Sequence, residues 1–136
     1  MPYAILDTSV IFASINVGDP SHARCRALLS RAEYNLIIPV LCIAEVSHLV
    51  NRDLGPETEF GFIESLRDEE VENPTLEDWD RIAELIQKYR DFPLGAVDAS
   101  IVALAERVGV VTVLTLDRRH FAAIRPRHVD AFTLLP

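Results

Sequence analysis

No apolar stretch in these 136 residues runs unbroken for the ~18 positions that a membrane-spanning helix needs. The start of the chain also lacks a charged segment, apolar core and cleavage site in series, because Asp7 cuts the first hydrophobic run short. These absences predict a cytoplasmic protein without a membrane partner. Only two cysteines occur, Cys25 and Cys42, both in Leu-, Ile- and Ala-rich segments and without CxxC spacing. Buried free thiols are therefore expected, not a disulfide or a zinc site. The five glycines form no phosphate-cradling loop. A net charge of −8 excludes a protein that coats nucleic acid by bulk attraction. Repeats, low-complexity tracts and linkers are missing as well, so residues 1–136 read as one domain.

What remains has the balance of an ordinary globular chain, 49% hydrophobic and 25% charged, and is long enough to bury a core unaided. Three short β-prone runs, Tyr3–Leu6, Leu36–Ile38 and Val111–Thr115, lack the polar alternation of half-exposed strands. Such runs suit a parallel sheet covered on both faces. Glu70–Glu72 and Phe132–Leu134 are weaker strand candidates. Helices are predicted from Pro20 to Ala32, Val40 to Arg52, Glu57 to Arg67, onward from the cap Thr75, and around Ile101, Leu104, Ala105 and Val108 up to Gly109. Trp79 is expected to pack the helix that Thr75 begins. The alternation predicts an α/β three-layer sandwich, a mainly parallel sheet of four to five strands with helices on both faces.

Against this apolar background stand four isolated acids. Asp7 and Asp117 each follow a buried strand, so both point out at the edge where open parallel sheets build their sites. Asp98 lies three residues before Ile101, and Glu45 lies three after Cys42; both flank apolar helical stripes. Clustered carboxylates raise one another's pKa, and a hard cation relieves the repulsion; Mg²⁺ or Mn²⁺ suits oxygen ligands. Each acid alone has a plainer reading. Asp98 could serve a helix dipole, Asp7, followed by Thr8 and Ser9, could cap the next helix, and Asp117 could open a turn into Arg118 and Arg119. Glu45 is hardest to dismiss, because a carboxylate in so apolar a segment needs a partner.

Other patterns carry less. Glu45-x-x-His48 and Asp117-x-x-His120 imitate the pairs of di-iron bundles, but the strand content opposes a bundle. Ser9 with His22 lacks any nucleophile-elbow context. Arg118, Arg119, Arg125 and Arg127, with His120 and His128, make the C-terminal end basic against a lone Asp130. That is a patch suited to a polyanion, or simply a solvated loop.

The chain resembles the PIN-domain ribonucleases, and most closely the VapC toxins of bacterial type II toxin–antitoxin pairs. The resemblance rests on Leu6-Asp7-Thr8-Ser9, Pro20-Ser21-His22, Pro39 with Glu45, Leu94 to Ser100, and Thr115-Leu116-Asp117-Arg118-Arg119-His120-Phe121. It covers almost the whole chain as one PIN domain and implies a Mg²⁺- or Mn²⁺-dependent endoribonuclease. Asp7 and Asp98 would be the main metal ligands, and Asp117 would complete the cluster directly or through water. Glu45 would orient the attacking water or help to hold a second ion. Thr8, Ser9 and Thr115 would hydrogen-bond these carboxylates, and Arg118, Arg119 and His120 would meet the RNA backbone. A homodimer, a cognate VapB antitoxin and a structured RNA target such as tRNA or an rRNA loop are also implied.

Two rivals differ in class. A phosphoacceptor receiver domain would want a lysine at the end of its last strand, whereas the only lysine, Lys88, lies mid-helix. A non-catalytic module would use the acidic pocket to grip a basic peptide, and it would bind without cleaving on added metal.

Overall fold

In a computed structural model describing residues 1–136, five strands form one sheet in the order β3-β2-β1-β4-β5, every neighbouring pair parallel. The strands are β1 (Tyr3–Leu6), β2 (Asn35–Pro39), β3 (Glu70–Glu72), β4 (Thr112–Leu114) and β5 (Thr133–Leu135). Helices α1 (Thr8–Ile15) and α2 (His22–Ser30) lie between β1 and β2; α3 (Val40–Leu54) and α4 (Pro56–Ser65) follow β2. Helices α5 (Leu76–Lys88) and α6 (Ala96–Val108) join β3 to β4, and α7 (Arg118–Ala123) joins β4 to β5. From β1 the chain builds outward to β2 and β3, then returns to place β4 on the other side. The point of reversal therefore lies between β1 and β4, where open sheets of this class form their crevice.

The pleat divides the core into two layers. Ile5 and Val113 join Leu85, Ile101, Leu104 and Phe121 on one side of the sheet. Ala4, Leu6 and Leu114 join Val10, Leu28, Val46 and Val50 on the other. Apolar residues on both faces explain why the central strands read as unbroken hydrophobic runs. No helix is long and apolar enough to cross a membrane.

Helix ends follow local chemistry. Thr75 and Asp78 form a reciprocal capping box at the start of α5, with bonds of 3.0 and 3.1 Å. Thr75→Ala removes one of these bonds, and the expected cost of about 1 kcal/mol is checked as a lower urea midpoint with an unchanged slope. Gly109 closes α6 at φ 72°, a left-handed position open to glycine at no steric cost.

Thr8–Ile15, missing from the helices assigned above, is the helix that Asp7 caps, and the turn offered as the plainer reading of Asp117 is the start of the short helix α7. Trp79 stays 48% exposed, because the stripe of α5 that turns inward is Asp78, Ile82 and Leu85. Cys25 and Cys42 are free and fully buried, as expected, and burial raises both thiol pKa values.

Candidate metal centre

Two strand ends build the floor of the site. β1 stops at Asp7 because the Asp7 carboxylate caps α1, its Oδ1 accepting the Thr8 N–H at 2.8 Å. The Asp7 N–H continues the β1–β4 ladder to Leu114 O at 3.0 Å, fixing Asp7 against the end of β4. Oδ2 accepts the Ser9 hydroxyl at 2.9 Å and the Thr115 hydroxyl at 2.7 Å. A carboxylate has about four lone-pair positions, and these three donors leave one without a donor. Burial raises the Asp7 pKa; the bonds from Thr115, Ser9 and Thr8 oppose that, and the Glu45 charge adds to it.

Asp117 caps α7 by accepting the His120 N–H at 3.3 Å, and its own N–H donates to Thr115 Oγ1 at 2.9 Å. Thr115 thus joins the two strand-end aspartates through one hydroxyl. Asp98 enters from the first turn of α6. Its carboxyl pKa is pushed up to about 6, first by burial and then by the charge of Asp7. Asp7, Thr8, Ser9, Glu45, Asp98, Asp117, His120 and Leu49 line one open cleft of about 310 Å³. All four acids singled out in the sequence therefore reach the same cleft.

The accompanying residues divide differently from expectation. The His120 ring lies 2.7 Å from Asp117 Oδ2 and 3.2 Å from Asp98 Oδ2, with its edge on Phe92 at 5.2 Å. It sits among the carboxylates, and the Asp117-x-x-His120 spacing that signalled this was visible but set aside. Arg118 turns away to donate to Leu134 O at 3.2 Å and Pro136 O at 2.7 Å, while Arg119 is exposed. Thr8 contributes its backbone N–H to Asp7; its hydroxyl is buried without a hydrogen-bond partner. Glu45 is exposed on the cleft rim and forms no hydrogen bond, because the buried stripe of α3 is Cys42, Val46 and Val50.

The donor set fits a hard divalent cation. Ligand atoms of Asp98, Asp117 and His120 come within 4.8 Å of one another, and Asp7 offers a further oxygen to the same cleft. Burial first, and then the charge of Asp7, disfavour the ionised Asp98 carboxyl, and a bound cation offsets both.

Comparison with known proteins bears on the family and the fold. The PIN domain pattern matches residues 4–125. Ribonuclease VapC26 of Mycobacterium tuberculosis is 33% identical over 134 residues, 97% of this chain and 99% of that protein. Similar folds include VapC20 of M. tuberculosis, a sarcin–ricin loop cleaving toxin, with a TM-score of 0.73 and 20% identity over 81% of this chain and 86% of that one. DNA-bound VapBC from Salmonella typhimurium has a TM-score of 0.70 and 21% identity over 98% of this chain and 97% of that one. A pattern match over most of the chain, joined to one-third identity along nearly its whole length, places this protein in the PIN-domain family, with the VapC ribonucleases.

Proposed function

We propose that this chain is a metal-dependent endoribonuclease of the toxin–antitoxin kind, cutting a structured RNA such as tRNA or an rRNA loop. The carrying observation is the convergence of Asp7, Glu45, Asp98 and Asp117 on one open cleft at the carboxyl edge of the sheet. The ribonuclease relative at 33% identity supports RNA as the substrate. The VapBC complexes that share the fold support a VapB-type antitoxin as the partner, and the cytoplasm is the compartment that this reading implies. A homodimer belongs to the same reading.

Asp7, Asp98 and Asp117 would hold Mg²⁺ or Mn²⁺, and Glu45 would face it from the rim. When bound, such an ion supplies a more acidic water and neutralises charge developing on a phosphodiester. The protein's own part is positional. Thr8, Ser9 and Thr115 hold Asp7 in one rotamer, and Thr115 also fixes the backbone of Asp117. His120 keeps the Asp98 and Asp117 oxygens close together. Arg119, exposed one residue before His120, is free to meet the substrate backbone.

The test is cleavage of a folded RNA by the purified chain in EDTA, then with Mg²⁺ or Mn²⁺ in excess. Cleavage should be absent in EDTA and return with the ion. Cleavage that persists in EDTA rejects the metal mechanism, and binding without cleavage in either ion turns the reading to the non-catalytic module.

A further inference from the structure

The chain contains 13 basic residues in a protein of net charge −8, and most are already engaged. Arg52 pairs with Asp53, Arg81 with Glu106 and Glu84, Arg107 with Asp78 and Glu72, and Arg127 with Glu84. Arg118 and Arg125 donate to backbone carbonyls, and Lys88 lies over the Tyr89 ring at 5.4 Å. Arg67, Arg90 and Arg119 are exposed and in no salt bridge, but each stands near an acid in the chain: Arg67 and Arg90 adjoin Asp68 and Asp91, and Arg119 follows Asp117 by two residues.

Helix α2 and its C-cap are different. Arg24, Arg26 and Arg31 are all exposed, none is in a salt bridge, and the acids next to the segment, Asp19 and Glu33, lie outside the helix at its two ends. Cys25 and Leu28 face inward, which sets Arg24 and Arg31 on one flank of the helix and Arg26 on the other. The single side-chain bond in the group is from Arg24 to the neutral Ser21 hydroxyl at 3.3 Å. Three guanidinium groups outside any salt bridge on so acidic a protein form a local cationic surface.

Its position ties it to the cleft. α2 packs on α1, and His22 Nδ1 lies 2.8 Å from Ala13 O in the last turn of α1. The first turn of α1, Thr8 and Ser9, lines the acidic cleft. α1 has eight residues, about 12 Å, so the patch lies within a few nucleotides' reach of the carboxylates.

We infer that Arg24, Arg26 and Arg31 form a phosphate-gripping surface for the RNA backbone outside the cleft, an inference that rests on RNA being the substrate. An acidic cleft repels a polyanion wherever its charge is not neutralised, so affinity has to come from elsewhere on the surface. Arginine suits that role because its planar fork donates two bonds to one phosphate. The surface supplies strength and orientation without reading sequence.

The experiment measures binding of a fluorescent hairpin RNA to the full chain in EDTA, across a salt series, so that cleavage plays no part. Each phosphate contact contributes about 0.7 to the slope of log affinity against log salt for single strands. Arg24→Gln/Arg26→Gln/Arg31→Gln should therefore flatten the slope by about 2 and weaken binding roughly hundredfold at 0.1 M salt. Arg52→Gln, which removes an arginine elsewhere, should change neither. If circular dichroism shows the triple variant unfolded, the single variants Arg24→Gln and Arg31→Gln replace it, each with a slope change of about 0.7. An unchanged slope and affinity overturn the inference while leaving the nuclease reading intact. Loss of antitoxin co-purification with RNA binding unchanged also overturns it, and assigns the patch to a protein partner. Wild-type chain that binds RNA but never cleaves it sinks the nuclease reading and leaves this surface standing.

Discussion

Asp98→Asn is expected to lower RNA cleavage about a thousandfold while making the ion-free protein more stable at pH 7. The catalytic loss follows from removing one carboxylate from the set that would hold the cation; a bound ion is worth several kcal/mol of charge stabilisation in the transition state, and each ~1.4 kcal/mol is tenfold. The gain in stability follows from the raised carboxyl pKa, about 6 in the folded protein against ~3.9 for an unperturbed aspartate. Between those values the folded state binds the proton more tightly than the unfolded chain. Stability contributed by that proton therefore falls as pH rises through the window, and above it the ionised group opposes folding by about 3 kcal/mol. Asparagine carries no charge and escapes this penalty while still accepting a bond from His120. Urea midpoints in EDTA at pH 5 and pH 7.5 provide the measurement: the stability of the variant relative to the parent should be clearly greater at the higher pH. Equal loss of stability at both values would refute the electrostatic account, and full cleavage by the variant would remove Asp98 from the metal set.

The same competition explains which parts of the structure were legible in the sequence. Strand-end aspartates stood out because a charge that ends an apolar run has no other obvious reason to be there, and Asp7 and Asp117 do lie at the ends of β1 and β4. Helix α1 was hidden by the same feature that makes it useful. Its sequence TSVIFASI is apolar nearly all round and five of its eight residues are buried, so no one-sided stripe distinguishes it from a strand. Helix α7, with six residues, is too short to show a period, and without it the ring of His120 had no defined direction. Once Asp117 caps that helix, His120 at the third position falls back over the carboxylate, while Arg118 is carried toward β5. Glu45 needs no protein partner, contrary to expectation, for a geometric reason. Three residues beyond Cys42 is the flank of the buried stripe, and there a carboxylate can stay in water and still face the cleft.

Thr115→Val tests whether the rigidity of Asp7 is part of the site's function. Thr115 is fully buried immediately after β4, and its backbone N–H is anchored to Leu135 O at 2.7 Å. Its hydroxyl donates to Asp7 and accepts from the Asp117 N–H, so one atom sets the spacing of both strand-end acids. Valine keeps the shape and deletes both bonds. The Asp117 N–H then loses its partner, at an expected cost of about 1–3 kcal/mol. Asp7 loses the strongest of the bonds that oppose the effect of its burial, so its pKa climbs further. A proton then competes more strongly with the cation, and cleavage should fall about 10–100-fold, with the Mn²⁺ activation midpoint displaced to higher concentration and the pH profile displaced upward. Thr115→Ser restores the hydroxyl and should recover the midpoint and the profile even where it recovers only part of the stability. A purely structural role for Thr115 predicts the reverse: both variants lose stability, and neither moves the metal dependence or the pH profile of the protein that remains folded.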